Sequence, residues 1–198
     1  TTEIYTLSLH DALPISSSKS ESKGLFNYTT TDLLIMAVLA AVGAVISAWV
    51  INPLVRALQI GSPFVSTWPG ALHLLFIVLA GVIVKKPGAG LITGLINGLA
   101  QLIFGNAAGA LCLLYGLANG LGVEIGLALG RYKFNLLTCM LAGAFGVACG
   151  FTVDLFYWFP NFTLPMQIGY VVNAFAAGFV VCGLAAFGIR KALARANI

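Results

Sequence analysis

Long apolar runs, separated by short polar, proline- or glycine-containing breaks, dominate the chain after residue 31. None of the runs alternates apolar and polar residues with the period of two that is typical of a membrane β-strand. Backbone polar groups in hydrocarbon must be hydrogen-bonded within their own segment or in a closed barrel. The pattern therefore predicts six membrane-spanning helices, at residues 32–51, 68–84, 88–104, 109–130, 135–158 and 165–189.

The second and third predicted helices are short for a membrane span. At 1.5 Å per residue each covers only about 25 Å, so we expect extra turns, local thinning of the bilayer or a loop that dips into it. The segment from Thr30 to Asp32 suits an N-cap for the first helix, and Pro87 suits the first turn of the third.

Composition agrees with a membrane protein, since 60% of the residues are hydrophobic and only 8% are charged. The predicted class is all-α, a polytopic six-helix membrane domain over residues 32–198. Residues 17–31 are polar and predict a flexible lead-in. Residues 1–16, TTEIYTLSLHDALPIS, resemble the translation of a sequencing adapter and are treated as non-native.

Basic residues predict the orientation, because lysine and arginine accumulate on the cytoplasmic side of a membrane. Nine of the ten fall on one predicted face, and the exception is Arg56, in the predicted loop after the first helix. Both termini are therefore predicted to be cytoplasmic, in a cell membrane. The asymmetry also accounts for the net charge of +4, so we do not expect a nucleic-acid partner. The nine are Lys19, Lys23, Lys85, Lys86, Arg131, Lys133, Arg190, Lys191 and Arg195.

Small residues recur every four positions on several predicted helices. Such stripes let helix backbones approach closely in lipid. Packing inside the bundle is the simpler interpretation, and a docking face for another membrane subunit is the alternative. The candidate docking face is the first helix, with Ala40, Ala44 and Ala48; the other stripes are Gly90, Gly94 and Gly98, then Gly122, Gly126 and Gly130, then Ala142, Gly146 and Gly150.

Polar and aromatic residues converge in the outer half of the predicted bundle. Ionisable groups at membrane depth are costly, and each is therefore a functional candidate. Aromatic belts normally appear on both membrane faces, whereas here the aromatics concentrate on one. We predict an outward-facing cavity for a small, flat, polar or cationic molecule, although belt and core packing remain open for each aromatic. Its candidate residues are Trp68, His73, Gln101, Tyr115, Asn119, Asp154, Trp158 and Asn173. Glu124 is a further candidate, but it lies nearer the inner side and reaches the cavity only if the cavity is deep or its helix begins below the surface.

Motifs for catalysis, metal binding or ATP hydrolysis are absent from the sequence. It lacks HExxH, GxSxG and the GxxxxGK[ST] phosphate loop. The four cysteines have no CxxC spacing and lie in apolar segments, so we interpret them as packing residues. We therefore predict no catalytic residues, no metal site and no cofactor.

Four segments in order resemble the YkoE-type S component, the substrate-binding membrane subunit of energy-coupling factor (ECF) transporters. They are KKPGAGLITG (85–94), IFGNAAGA (103–110), GLANGLGVEIG (116–126) and VDLF (153–156). The resemblance covers residues 30–190 and adds Asn106 to the candidate binding residues. It also implies that Asn119, Glu124 and Asp154 belong to matched segments, and that the alanine stripe docks on the partner.

This resemblance implies a vitamin importer in which the chain captures its ligand from outside. A transmembrane coupling subunit and two ATPase subunits would supply the power, and the implied ligand is thiamine or its hydroxymethylpyrimidine precursor. The residues leave open an alternative, a self-sufficient small transporter or channel for another small cationic or heteroaromatic solute.

Overall fold

The computed structural model describes residues 27–195, and this part of the chain is helical apart from short connections. The adapter-like segment, most of the polar lead-in and residues 196–198 lie outside it. Five of the helices are long and apolar enough to cross a membrane, and α3 is a shorter apolar helix, so the predicted all-α, six-helix class is confirmed. The helices are α1 (Thr30–Gly61), α2 (Pro63–Val84), α3 (Ala89–Ile103), α4 (Leu111–Leu129), α5 (Leu136–Tyr157) and α6 (Leu164–Arg195).

Helix α1 ends at Gly61, ten residues beyond its predicted end, because it continues past Pro53. Proline has no N–H and its ring clashes with the carbonyl one turn earlier, and a helix absorbs this defect by widening locally. The structure shows such a π-helical turn at Ser47–Ile51. The prediction that Arg56 lies in a loop is therefore wrong, since Arg56 occupies a regular helical turn beyond the widened one.

Helix α2 begins earlier than predicted, at Pro63 in place of Trp68. Pro63 occupies the first turn, where a missing N–H costs nothing, and a 3-10 turn at Ala71–Leu74 follows the internal Pro69. The extra turns give α2 22 residues, enough to span. Helix α3 keeps its predicted shortness with 15 residues, or about 22 Å.

Helix α4 packs against both α3 and α5. A Cβ on Gly94 would lie 2.4 Å from the carbonyl oxygen of Gly116, and one on Gly126 would lie 2.4 Å from the Cα of Ala142. The backbones of the three helices are thus in direct contact, as the glycine stripes predicted. Helix α5 also packs on α6, while α1 packs on α2 and α3.

The alanine stripe of α1 faces the inside of this chain. Ala40 and Ala44 are fully buried, and the Ala40 carbonyl accepts a hydrogen bond from Asn97 of α3 at 2.9 Å. Ala48 is half-buried. The prediction that these alanines form an exposed docking face is therefore wrong for Ala40 and Ala44, because α3 already fills the groove that their small side chains leave.

The connections divide the bundle into two ends. Loops α2–α3 and α4–α5, with Lys85, Lys86, Arg131 and Lys133, lie at what we call the basic end. The α1–α2, α3–α4 and α5–α6 connections lie at the other, which we call the cavity end. Placement of the basic end in the cytoplasm stays a prediction.

Replacing Gly126 by alanine is expected to lower the stability of the bundle. The new methyl group would meet three backbone atoms of α5 within 2.6 Å, and backbone cannot move aside as a side chain does. We expect a cost of about 1–3 kcal/mol, measured as a lower thermal midpoint in detergent. Gly188→Ala is the control, because nothing lies within 4 Å of its added methyl group. Equal midpoints for the two variants would contradict the packing argument.

Candidate functional site

A cavity opens at the cavity end between α1, α2, α3, α4 and α5. Together with its open mouth, where it meets solvent, it encloses about 600 Å³. Six of the predicted binding residues line it. The lining is Asn52, Val55, Arg56, Gln59, Gly70, His73, Leu74, Gln101, Asn106, Ala108, Cys112, Tyr115, Asn119, Gly150, Phe151 and Asp154.

Gln101, at the end of α3, organises a cluster of side-chain amides on one wall. Its Oε1 accepts hydrogen bonds from Asn106 at 2.6 Å and from Asn52 at 3.4 Å. Its Nε2 donates to Asn97 Oδ1 at 2.6 Å. These contacts fix which end of the Gln101 amide is oxygen, because the oxygen faces two donors and the nitrogen faces an acceptor. The wall is fixed in one orientation.

His73 contributes an unused polar atom to the cavity lining. Its Nε2 lies 3.2 Å from the amide nitrogen of Gln101, a donor, so Nε2 is the accepting nitrogen and the ring proton of the neutral imidazole sits on Nδ1. Nδ1 is buried and has no hydrogen-bond partner in residues 27–195. His73 therefore presents a buried N–H donor with no protein acceptor.

Asn119 contributes the complementary atom. It lies on α4 and is only 3% exposed, and its Oδ1 has no partner within the described chain. That oxygen rests against Gly150 of α5, where an added Cβ would be 1.8 Å away. The missing side chain at Gly150 thus creates the space that Asn119 occupies. Buried polar groups normally find partners, so an acceptor and a donor without them within the described residues call for an explanation.

Asp154 forms a second polar cluster across the cavity. Tyr115 of α4 donates to its Oδ1, and Tyr170 of α6 donates to its Oδ2 at 2.9 Å. Tyr170 was not predicted as a site residue, and it is fully buried. Phenylalanine rings surround it in edge contacts, at centroid distances of 5.5–6.1 Å, and thereby hold its hydroxyl in place. These are Phe64, Phe151, Phe159 and Phe162.

Three further polar lining residues come from the part of α1 that sequence reasoning assigned to a loop. Asn52, Arg56 and Gln59 follow a helical spacing of four and three, which places them on one face toward the cavity. This spacing could have indicated that the helix continues, but Pro53 led us to predict that the helix ends before it. The Arg56 guanidinium lies 3.7 Å from the centroid of the Trp158 ring. Trp158 in turn donates its Nε1–H to the Tyr115 hydroxyl at 2.9 Å, just outside the lining.

Three predicted site residues lie elsewhere. Trp68 is 41% exposed and does not line the cavity. Asn173 ties α6 to α2, since its amide donates to the Phe64 carbonyl and to Thr67 Oγ1, both at 2.7 Å. Glu124 lies toward the basic end of α4, as its position along that helix indicated.

Glu124 holds the start of α3. Its Oε1 accepts from the backbone N–H of Gly88 at 2.6 Å and from Tyr132, and its Oε2 accepts from the N–H of Gly90 at 3.0 Å. A carboxylate at a helix N-terminus neutralises unsatisfied N–H groups and the positive end of the helix dipole. Burial and the bond to Glu124 raise the pKa of Tyr132, which therefore remains a donor. Beside this carboxylate, Lys86 forms an ion pair with Asp32 at 2.5 Å.

Comparison with known proteins gives three matches. A family model described as "ABC-type cobalt transport system, permease component" matches residues 31–149. A putative HMP/thiamine permease protein, YkoE, from Bacillus subtilis (strain 168) is 28% identical over 127 residues, covering 61% of this chain and 62% of the relative. A crystal structure of an S-component of an ECF transporter superposes with a TM-score of 0.78 at 24% identity, covering 86% of this chain and 88% of the other.

These matches confirm the resemblance to YkoE-type S components and the fold. The chain is a multi-pass protein of the plasma membrane, with relatives that are transport proteins and not enzymes. The alignment spans a little under two thirds of the YkoE relative. What that relative transports is therefore no more than a guide to this chain's ligand.

Glu124→Gln is expected to destabilise the protein by about 2 kcal/mol while leaving ligand binding intact, because hydrogen bonds to charged groups contribute about that much. An amide also turns an N–H₂ group toward one of the backbone donors that the carboxylate satisfies. Thermal melting in detergent measures the loss, and Tyr132→Phe, which removes one of the three donors, should cost less. A variant with wild-type stability but abolished ligand binding would show that Glu124 belongs to the binding site.

Proposed function

Because the chain belongs to the permease-component family of ABC-type cobalt transport systems, we propose that it captures a small heteroaromatic vitamin for an ECF importer. The ligand that we propose is thiamine or its hydroxymethylpyrimidine precursor. The chain receives it in the cavity described above, and a transmembrane coupling subunit with two ATPase subunits drives its release into the cytoplasm. The last step is assigned to partners because the sequence carries no phosphate-binding loop.

Two unpartnered buried atoms, on two residues that line the cavity, carry this proposal. His73 offers a buried donor at Nδ1, and Asn119 offers a buried acceptor at Oδ1. An aminopyrimidine has the matching groups, a ring nitrogen that accepts and an exocyclic amine that donates. Each buried atom left without a partner costs about 1–3 kcal/mol, and a ligand that supplies both partners recovers this free energy on binding.

The remaining lining suits a flat ring. Phe151, Leu74 and Val55 supply apolar surface, and Tyr115 adds an aromatic ring whose hydroxyl is already bonded to Asp154. Aromatic side chains bind flat heterocycles through stacked or edge contacts with little loss of conformational freedom. The amide cluster around Gln101 holds the opposite wall rigid, so the cavity is shaped before the ligand enters.

The family description names cobalt, but the polar groups of this cavity fit an organic ligand better. No three His, Cys, Asp or Glu side chains within residues 27–195 are grouped so that they could hold a metal ion. The cavity provides mainly neutral amide groups, with one imidazole, one carboxyl group, one guanidinium group and one cysteine thiol. Cobalt sites generally combine several imidazole, thiolate or carboxylate ligands.

Removing either unpartnered atom is expected to weaken binding. Asn119→Ala and His73→Phe should each raise the Kd for hydroxymethylpyrimidine about 10- to 100-fold, the equivalent of losing one buried hydrogen bond. Isothermal titration calorimetry on the detergent-purified chain, from which residues 1–16 have been removed, measures the change. Asn161→Ala is the matched control, since Asn161 is exposed in the α5–α6 connection at the same end.

Riboflavin serves as the control ligand, being heteroaromatic but too differently shaped to present the same pair of groups. The assignment of a pyrimidine ligand is refuted if the folded wild-type chain binds neither thiamine nor hydroxymethylpyrimidine. The importer mechanism has its own test in proteoliposomes that contain the coupling subunit and the ATPases. Uptake of the ligand there must require both ATP and this chain.

A further inference from the structure

Arg190, near the end of α6, is a cation without a carboxylate partner in the described part of the chain. The residue is half-buried, and its Nε is buried with no hydrogen-bond acceptor among residues 27–195. The one salt bridge found within those residues joins Lys86 to Asp32. A buried guanidinium N–H without an acceptor is costly, because it has lost its hydrogen bond to water and gained none from protein.

The acidic side chains between residues 27 and 195 are all engaged elsewhere. Asp32 is paired with Lys86, and Glu124 binds the start of α3. Asp154 lines the cavity, at the opposite end of the bundle. An anion bound by Arg190 must therefore come from outside this part of the chain.

Two phenylalanine rings hold the Arg190 side chain in place. Phe134, in the α4–α5 connection, stacks on Phe187 of α6 at a centroid distance of 5.3 Å. The Arg190 guanidinium lies 5.6 Å from the Phe134 centroid, and Lys191 Nζ lies 5.9 Å from the Phe187 centroid. Cation–π contacts thus bring two positive charges to one aromatic pair. Lys133, exposed and directly before Phe134, adds a third.

The depth of Arg190 indicates which kind of anion it meets. Between Leu164, where α6 begins at the cavity end, and Arg190 the helix rises about 39 Å. The hydrocarbon core of a bilayer is about 30 Å thick, and a bilayer with its headgroups is about 40–45 Å thick. Arg190 therefore lies at the level of the headgroups. Leu137 of α5 and Ile189 of α6 are exposed close by in sequence and offer apolar surface to acyl chains.

From these observations we propose that Arg190, Lys191 and Lys133 form a binding site for the phosphate of an anionic glycerophospholipid, such as phosphatidylglycerol. The planar guanidinium of Arg190 can bind a phosphate through two parallel N–H groups, and the lysines add attraction for its net charge. A lipid fits this place better than a soluble phosphate, because the site stands at headgroup depth beside exposed apolar residues. The site lies at the end opposite the cavity and is independent of the ligand proposed there.

The test compares two lipids that share their acyl chains and differ in net charge. Native mass spectrometry of the detergent-purified chain, titrated with phosphatidylglycerol and with phosphatidylcholine, gives an apparent Kd for each. The wild-type chain should bind phosphatidylglycerol about tenfold or more tightly, since each basic residue near the headgroups favours an anionic lipid about fivefold. Arg190→Gln should weaken binding of phosphatidylglycerol about five- to tenfold and leave that of phosphatidylcholine unchanged.

Two further variants separate the geometry of the guanidinium from its charge. Arg190→Lys keeps the charge but loses the planar group, so it should retain only part of the affinity for phosphatidylglycerol. Arg195→Gln removes an equal charge from an exposed residue further along the same helix, and should change the affinity by less than about twofold. Thermal melting without added lipid shows whether each variant is folded.

Equal affinity of the wild-type chain for the two lipids would overturn the proposal. A preference that Arg190→Gln leaves unchanged would place the lipid elsewhere, and an equal loss in Arg195→Gln would show only general attraction by the basic end. Displacement of phosphatidylglycerol by millimolar inorganic phosphate would show that the site takes a soluble anion instead.

Discussion

Contact between the backbones of α3, α4 and α5 sets the shape of the cavity. In lipid there is no hydrophobic force to bring helices together, so close approach relies on small residues that let backbone touch backbone. Gly94 on α3 meets Gly116 on α4, and Gly126 on α4 meets Ala142 on α5. The same absence of side chains at Gly150 opens the space that the Asn119 amide occupies. Missing side chains at glycines therefore explain both the close helix packing and part of the shape of the cavity.

Most polar side chains of the cavity in this apolar bundle have hydrogen-bond partners within the described part of the protein, and two have an atom without one there. Asn97, Gln101 and Asn106 bond to one another, and Asp154 accepts from two tyrosines. Hydrogen bonding of this kind is expected where water is scarce, because a buried polar group without a hydrogen-bond partner costs free energy. His73 Nδ1 and Asn119 Oδ1 depart from this rule inside the same cavity lining. That contrast, more than the presence of polar residues, is the reason for proposing that the cavity binds the ligand.

The sequence predicted the helix number, the glycine contacts and most polar members of the cavity, because these follow from hydrophobicity and from spacing along single helices. It did not predict that α1 runs on through Pro53, since a proline inside a helix and a proline that ends one leave the same local pattern. Arg56 was therefore assigned to a loop. The sequence also did not decide whether the alanine stripe of α1 faces this bundle or a partner. A row of small residues indicates that another helix packs closely, but it does not identify that helix.

Helix α4 connects the two ends of the molecule. Asn119 lies in the cavity lining, and Glu124, five residues further along, binds the start of α3. About 7.5 Å of helix therefore separates the cavity from the contact that Glu124 makes at the basic end. The turns between them include Gly120 and Gly122, which touch the backbones of α3 and α5 respectively. Packed in this way, α4 has little freedom to bend or slide against its neighbours. Under the proposed importer function, a movement that brings the ligand toward the cytoplasm is therefore easier for the bundle as a whole than for one helix within it. That is the kind of movement that the proposed coupling subunit, outside the bundle, can drive.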